Sequence, residues 1–441
     1  MKLIINKFPP ITQRCEIDLS KKLTLFVGHN NSGKTYISQL IWGIFKFTYF
    51  DTHNFKWIEF LNIEEVNGEA SFHITQNKLD SFRLNLVDAL KEYGIKNIFK
   101  KVIDIDCEIL LELEEIKQKS MKGAMYDANG TLINIEKDKN SLEVFITTDR
   151  RIEQEARNDF NEYIVSLLIH SILEHQQTLY LPSSRLFFPS FYKYIFNTEK
   201  DFKDSMYQNF DKLDDKNKKF YAPSYTQPVD ELIKNLIFSL DKPQEHTIYL
   251  DKLAHIIEGN ISVDRAEEIG MADISYNHKS GENIPMYLSS SMVNQLSTLY
   301  LYFKYWMKKK NNFLIIDEPE MNLHPAKKIE VLELLMHFAS ENKLLMATHS
   351  NTLAKSIINY LHLFDLRDKG VDTQAFIQEN ELAMDSEIKL SSNDIGIYYF
   401  NGKTIVPYKY DNDSNIHFGT FTEVEELQSK QFEYIMDELE K

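Results

Sequence analysis

The strongest chemical signal in the chain is two glycines, a lysine and a threonine at one fixed spacing. Residues 28–35 read GHNNSGKT and fit G-x-x-x-x-G-K-[ST] at Gly28, Gly33, Lys34 and Thr35. Glycines at those places let bare backbone N–H groups curl around a phosphate. Lys34 would then reach the β- and γ-phosphates of a nucleotide, and the Thr35 hydroxyl would ligate Mg²⁺. The apolar run at residues 23–27 predicts a strand leading in. The apolar spacing of Tyr36, Ile37, Leu40, Ile41, Ile44 and Phe45 predicts a helix leading out, its positive N-terminal end under the phosphates.

Three further clusters could act on a bound phosphate. Residues 312–320 are a buried-strand run ending Asp317-Glu318-Pro319-Glu320. A strand beside the phosphate-loop strand would deliver Asp317 to the metal, directly or through water. Glu318, one residue on, would orient or deprotonate the attacking water. Taken alone, adjacent carboxylates at a strand end are as often a solvated turn. Residues 343–350 are another short apolar strand, ending in His349 at the same sheet edge, where it could bond the γ-phosphate or the attacking water. A lone histidine there is usually incidental; one strand and one helix after an Asp-Glu pair makes it less so. Ser289, Ser290 and Ser291 open a helix expected to run to about residue 307. They either aim donors at an anion or simply cap the helix.

These groups need a framework, and the hydrophobic pattern supplies one. Strands are expected at residues 2–6, 15–19 and 23–27, a β-rich stretch at 107–113 and 142–148, and a strand at 178–181. Helices are expected at 35–47, 77–100 and 150–177. Residues 117–140, with Asn129-Gly130, read as a hairpin or mobile loop. Residues 186–262 read as a helical insertion, and no sustained heptads predict a long coiled-coil arm. The expected division is an N-terminal lobe at 1–185, the insertion at 186–262, a C-terminal lobe at 263–410 and a tail at 411–441.

Composition narrows the setting. With 441 residues and 43% apolar content, the chain can bury a large core. Two cysteines, Cys15 and Cys107, make a disulfide framework unexpected and suit a reducing compartment. Neither a signal peptide nor an apolar run of about 18 residues is seen, so a cytoplasmic protein without a membrane span is expected. A net charge of −16 argues against a surface basic throughout, though not against a local groove. Lys304, Lys308, Lys309 and Lys310 form one such cluster, or else the solvated end of a helix. The tail at 411–441, with nine acids and two bases, reads as a solvated helix or a docking surface for a basic partner.

Phosphate loop, serine-rich helix start, DEPE strand and THS strand, in this order, resemble the soluble ABC-type ATPases of the RecF/SMC/Rad50 and OLD group, in the branch labelled AAA15 or AAA21. The resemblance covers the first 50 residues and about 285–355. It implies an α/β fold: an ABC-type, RecF/Rad50-head-like P-loop ATPase with a mixed β-sheet core and a helical insertion. It makes ATP with Mg²⁺ the cofactor pair, bound by Gly28, His29, Asn30, Asn31, Ser32, Gly33, Lys34, Thr35 and Tyr36. Thr35 and Asp317 become the metal ligands; Glu318, His349 and Lys34 become catalytic. Residues 288–292 resemble the signature motif, with Ser289, Ser290 and Ser291 serving ATP held by a second subunit and serines standing where the motif usually has glycine. Asn322-Leu323-His324-Pro325 stands where the D-loop crosses the dimer interface, His324 replacing the usual aspartate. The run Tyr180-Leu181-Pro182-Ser183-Ser184-Arg185 resembles a strand-Pro-x-x-Arg element of the branch, with no role assigned to Arg185.

The resemblance further implies a homodimer, or a higher homo-oligomer, closing on ATP. Its foremost functional expectation is the sensor or regulator ATPase of a bacterial anti-phage defence system, similar to the ATPase subunits of PARIS or Septu. Such a protein answers to DNA or a phage protein and acts with a separate nuclease or toxin. A RecF-like DNA-maintenance ATPase is the alternative. An ABC transporter subunit is third, because the insertion and the DEPE–LHP form look unlike transporter subunits.

Overall fold

The computed structural model describes residues 1–46, 68–126, 130–149, 177–195, 225–243, 247–264 and 272–408, with residues 197, 427 and 429–432. Its strands in chain order are β1 Lys2–Lys7, β2 Cys15–Asp18, β3 Leu23–Gly28, β4 Glu69–His73, β5 Asp106–Leu110, β6 Met121–Tyr126, β7 Leu132–Lys137 and β8 Glu143–Thr148. Then follow β9 Gln177–Leu181, β10 Gly259–Asp264, β11 Asp273–His278, β12 Asn283–Pro285, β13 Asn312–Asp317, β14 Lys343–Thr348, β15 Ile395–Phe400 and β16 Ile405–Pro407.

β3, β13 and β14 are apolar on both faces, and all are buried along nearly their whole length. That pattern belongs to parallel strands covered by helices on both sides. They form the centre of a six-stranded sheet of order β16-β15-β3-β14-β13-β9, parallel except for the edge strand β16. Ile316 pairs with Met346, and Met346 with Leu25, so the carboxyl ends of β13, β14 and β3 lie along one edge. Ligands of open α/β sheets gather at that edge.

One expectation is corrected here. The Asp317 strand does not neighbour the phosphate-loop strand, because β14 lies between them. A strand with two parallel neighbours needs both edges free for hydrogen bonding and both faces apolar. Leu344–Met346, fully buried and without proline, meets both needs.

Helix α1 (Lys34–Phe45) follows the phosphate loop, and α2 (Gln76–Ala89) continues through a wide turn at Leu90–Gly94 into Ile95–Phe99. The β-rich expectation at 107–113 resolves into β5 and a short helix, Leu113–Lys117. β6 and β7 form a hairpin, one of the two forms expected there, its turn residues 127–129 lying outside the described residues. Residues 150–176 of the helix expected at 150–177 also lie outside them, while Gln177 opens β9. β1, β2 and β5 form a small antiparallel sheet, and so do β4 and β6–β8. Cys15 and Cys107 are free and buried, paired across the ladder with Ile5 from opposite sides.

Within the expected insertion, α3 (Gln227–Phe238) and α4 (Thr247–Ile257) belong to the main core. Leu232, Leu236 and Leu253 are fully buried, and Tyr249 stacks on Phe303 with ring centroids 4.8 Å apart. Helices α5 (Ser291–Leu301), α6 (Pro325–Glu341) and α7 (Asn351–Asp368) complete the layers. Of the lysine cluster, Lys304 is half-buried and donates to the Ile261 carbonyl at 3.2 Å, while Lys308, Lys309 and Lys310 stand exposed after the helix. Most of the acidic tail lies outside the described residues. Among the described residues, no helix is long and apolar enough to cross a membrane.

Candidate functional site

β3 runs straight into the phosphate loop, and the two motif glycines are required by close approach. A Cβ on Gly28 would stand 2.3 Å from the Phe400 carbonyl oxygen on the neighbouring strand β15. A Cβ on Gly33, whose φ is +100°, would stand 2.7 Å from the Pro10 ring. Between them His29, Asn30 and Asn31 are exposed and Ser32 is buried. Lys34 opens α1 with its side chain folded under the loop, donating to the carbonyls of Gly28 at 2.9 Å and His29 at 2.7 Å. Burial pulls its pKa down to about 8, against the opposing pull of Asp317, Glu318 and Glu320. It remains an ammonium at neutral pH.

The end of β13 faces this lysine and the first turn of α1. The Thr35 hydroxyl donates to Asp317 Oδ2 at 2.8 Å, and the Tyr180 hydroxyl donates to the same oxygen at 2.7 Å. Asp317 Oδ1 is buried with no hydrogen-bond partner. Burial pushes the Asp317 carboxyl upward, while the Tyr180 and Thr35 hydroxyls hold it down. The next residue leaves the strand in a left-handed turn: Glu318 has φ +48°. For a non-glycine residue that costs about 1–2 kcal/mol. The Glu318 N–H donates to the Ala347 carbonyl at 2.7 Å, and its carboxylate lies 3.4 Å from His349 Nε2.

His349 sits just past the end of β14, between the lysine and the glutamate. Burial pushes its pKa down to about 4, and the Lys34 charge adds to the shift. The imidazole is therefore neutral at pH 7. Its Nδ1 stands 3.4 Å from Lys34 Nζ and its Nε2 faces Glu318, while a bond to the Gly28 backbone pulls the pKa partly back up. Gly28–Tyr36, Asp317, Glu318 and His349 thus converge on one sheet edge. Beside them lies a cavity of about 590 Å³ lined by the loop, His349, Pro9, Pro10 and residues 101–104. The half-exposed Tyr36 ring borders it, stacked on Phe99 at 5.6 Å.

The serines lie elsewhere. Ser289 donates to the Pro285 carbonyl at 3.3 Å, Ser290 caps α5 by accepting from the Val293 N–H at 3.3 Å, and Ser291 is exposed. None of the three lines the cavity or bonds to residues 28–36 among the described residues. Tyr287 and Leu288 beside them are two-thirds exposed apolar side chains. His324, exposed, is the N-cap of α6.

Four residues of this region carry geometry that the motifs did not assign. Tyr180 shares the Asp317 oxygen with Thr35. Glu320, buried, accepts from the Thr348 hydroxyl and so ties the turn after β13 to the end of β14. Arg185 and Gln295 meet behind the Asp317-Glu318 peptide. The sequence signals for them were the third acid of DEPE and the Pro-x-x-Arg run, neither of which specifies a contact.

A family model described as an AAA ATPase domain (AAA_15) matches residues 1–354. No curated protein matches the sequence. Among solved structures, the chain is similar to an Smc head domain with an extended coiled coil, bound to the C-terminal domain of ScpA, from Pyrococcus furiosus. That alignment has 11% identity and a TM-score of 0.39, and it covers 97% of this chain and 98% of that one. An SMC head domain from Thermotoga maritima aligns with 12% identity and a TM-score of 0.32, covering 93% and 98%.

Proposed function

The chain belongs to the AAA ATPase domain family, and from that premise we propose that it is an ABC-type switch that binds ATP with Mg²⁺ and hydrolyses ATP to ADP and phosphate. One observation carries the reading: the 2.8 Å bond from Thr35 to Asp317, with the His349–Glu318 pair at 3.4 Å on the same sheet edge. A magnesium site in a phosphate loop needs one hydroxyl, one carboxylate and phosphate or water oxygens, and no cage of acids. Thr35 and Asp317 fit that need, and the unpartnered, buried Asp317 Oδ1 fits a role toward a bound cation or its water. When bound, the cation would neutralise charge on the β- and γ-phosphates. Lys34 would exchange the Gly28 and His29 carbonyls for phosphate oxygens. Glu318 would accept the proton of the attacking water, and neutral His349 would donate from Nε2 to the γ-phosphate or that water.

In this reading the site is completed by Ser289–Ser291 of a second copy. Mixing Ser289→Arg protein with Lys34→Ala protein is therefore expected to restore part of the hydrolysis that each lacks alone. One composite interface of a mixed dimer keeps both parental elements. Mixed dimers shown to form, yet inactive at every ratio, would mean that each chain's site is complete without a partner.

The four-motif resemblance supports a finer reading: a sensor ATPase of an anti-phage system that governs a separate nuclease or toxin. Cells carrying the gene with its neighbours are then expected to resist phage only while the neighbouring effector gene is intact, and the purified chain alone is expected to cut no nucleic acid. Metal-dependent cleavage by the chain alone would overturn the two-component reading, and a membrane permease co-purifying with it would point to transport.

A further inference from the structure

Arg185 lies just after β9 and is completely buried. Its guanidinium donates to no carboxylate side chain among the described contacts. It donates instead to three main-chain carbonyls: Pro182 at 3.0 Å, Asp317 at 2.5 Å and Glu318 at 3.0 Å. A fourth acceptor comes from α5. With its amide turned as the surrounding donors require, the Gln295 carbonyl oxygen accepts from the same guanidinium at 3.3 and 2.5 Å. Burying a guanidinium is costly, and well-packed apolar side chains commonly fill such space at least as stably. Packing alone therefore does not explain a charge here; what the charge holds does.

Two of the carbonyls it holds, those of Asp317 and Glu318, belong to the residues at which the chain leaves β13 and turns left-handed. From the other side, the Ala347 carbonyl holds the Glu318 N–H. The backbone at Glu318 is thus gripped on both flanks, and this fixes the direction of a carboxylate only 3.4 Å from His349. Gln295 adds a second connection. It sits about one helical turn into α5, beyond the serines at its start. A displacement of that helix start would reach the Glu318 carbonyl through two side chains.

We propose that Arg185 is a positioning residue: it braces the left-handed turn that aims the Glu318 carboxylate, and through Gln295 it couples that turn to the serine-bearing end of α5. The proposal rests on the reading of Glu318 as the general base. Its test compares Arg185→Met, Arg185→Lys, Glu318→Gln and the Arg185→Met/Glu318→Gln double variant in kcat and in nucleotide Kd. Arg185→Met is expected to lower kcat about a hundred-fold, the usual cost of a misplaced reacting group, with Kd within about threefold of the parent. Arg185→Lys should recover part of the loss. The double variant should be no slower than Glu318→Gln, because residues acting as one unit do not lose activity additively. Multiplied losses in the double variant, parental kcat in Arg185→Met, or a fall in affinity matching the fall in rate would each overturn the proposal. Should Arg185→Met fail to fold, Gln295→Met enters the same cycle in its place, with the same expected and overturning results. If Glu318→Gln keeps parental turnover, the general-base reading fails and this proposal fails with it. An inactive Glu318→Gln beside a fully active Arg185→Met removes only the positioning role.

Discussion

Glu318→Gln protein is expected to release phosphate at least about a hundred-fold more slowly than the parent while binding ATP with nearly the same affinity. The amide keeps the shape of the carboxylate and can still meet His349, which lies 3.4 Å away, but it cannot take up a proton. Binding should survive because Lys34, Thr35 and the glycine backbone that would hold the phosphates are untouched. Neutral His349 is too weakly basic to substitute, since burial and Lys34 hold its pKa near 4. With hydrolysis slowed and binding intact, the ATP-bound assembly should accumulate. Light scattering with ATP present should then show a larger species for the variant than for the parent. Parental turnover in Glu318→Gln would remove this residue from the mechanism.

The parts of this site that could be read from sequence are those specified by local chemistry. GHNNSGKT needs glycines because backbone must approach backbone and ring, and Gly28 against Phe400 and Gly33 against Pro10 show that need directly. The apolar runs ending at Asp317 and Thr348 announce buried parallel strands, and their pairing aligns the two carboxyl ends. Order within the sheet was not legible. β13 and β14 have the same apolar character, so nothing in either run says which one lies against β3. The contacts of Arg185 were equally hidden. It meets Asp317 and Glu318 across more than 130 residues of chain, and its acceptors are carbonyls, which every residue possesses. Gln295 reads as one polar residue on a helix, and only the tertiary fold gives it the guanidinium.

Position in sequence likewise could not separate a motif serine that serves a ligand from one that serves its own helix. Ser290 caps α5, as serines at helix starts commonly do. A functional Ser289 would therefore act beside a residue whose hydroxyl is already engaged. Ser289 in turn donates to the Pro285 carbonyl at 3.3 Å, while Ser291 is exposed.

Lys34→Ala should weaken ATP binding by about 3 kcal/mol, roughly a hundred-fold in Kd, and still leave the fold intact. The loss follows from removing the ammonium folded under the loop, because charge-assisted bonds to phosphate are strong. The stability argument runs the other way. In the folded chain burial lowers the Lys34 pKa from 10.5 to about 8. As pH falls from about 10.5, the unfolded chain takes up this proton first, so the folded state loses stability until about pH 8 and regains none below it. At pH 7 carrying the charge on this buried amine therefore opposes folding, and alanine removes that cost. The Gly28 and His29 carbonyls lose a donor, but Lys34 itself lines a cavity of about 590 Å³, so water can take the place of its ammonium. Thermal unfolding of the nucleotide-free variant at pH 7 should have a midpoint at or above that of the parent, with unchanged cooperativity. Calorimetric titration should show ATP affinity reduced roughly a hundred-fold. ATP bound as tightly as by the parent would refute the phosphate-loop reading of residues 28–35, whereas a sharply lowered midpoint would show that Lys34 instead holds the fold.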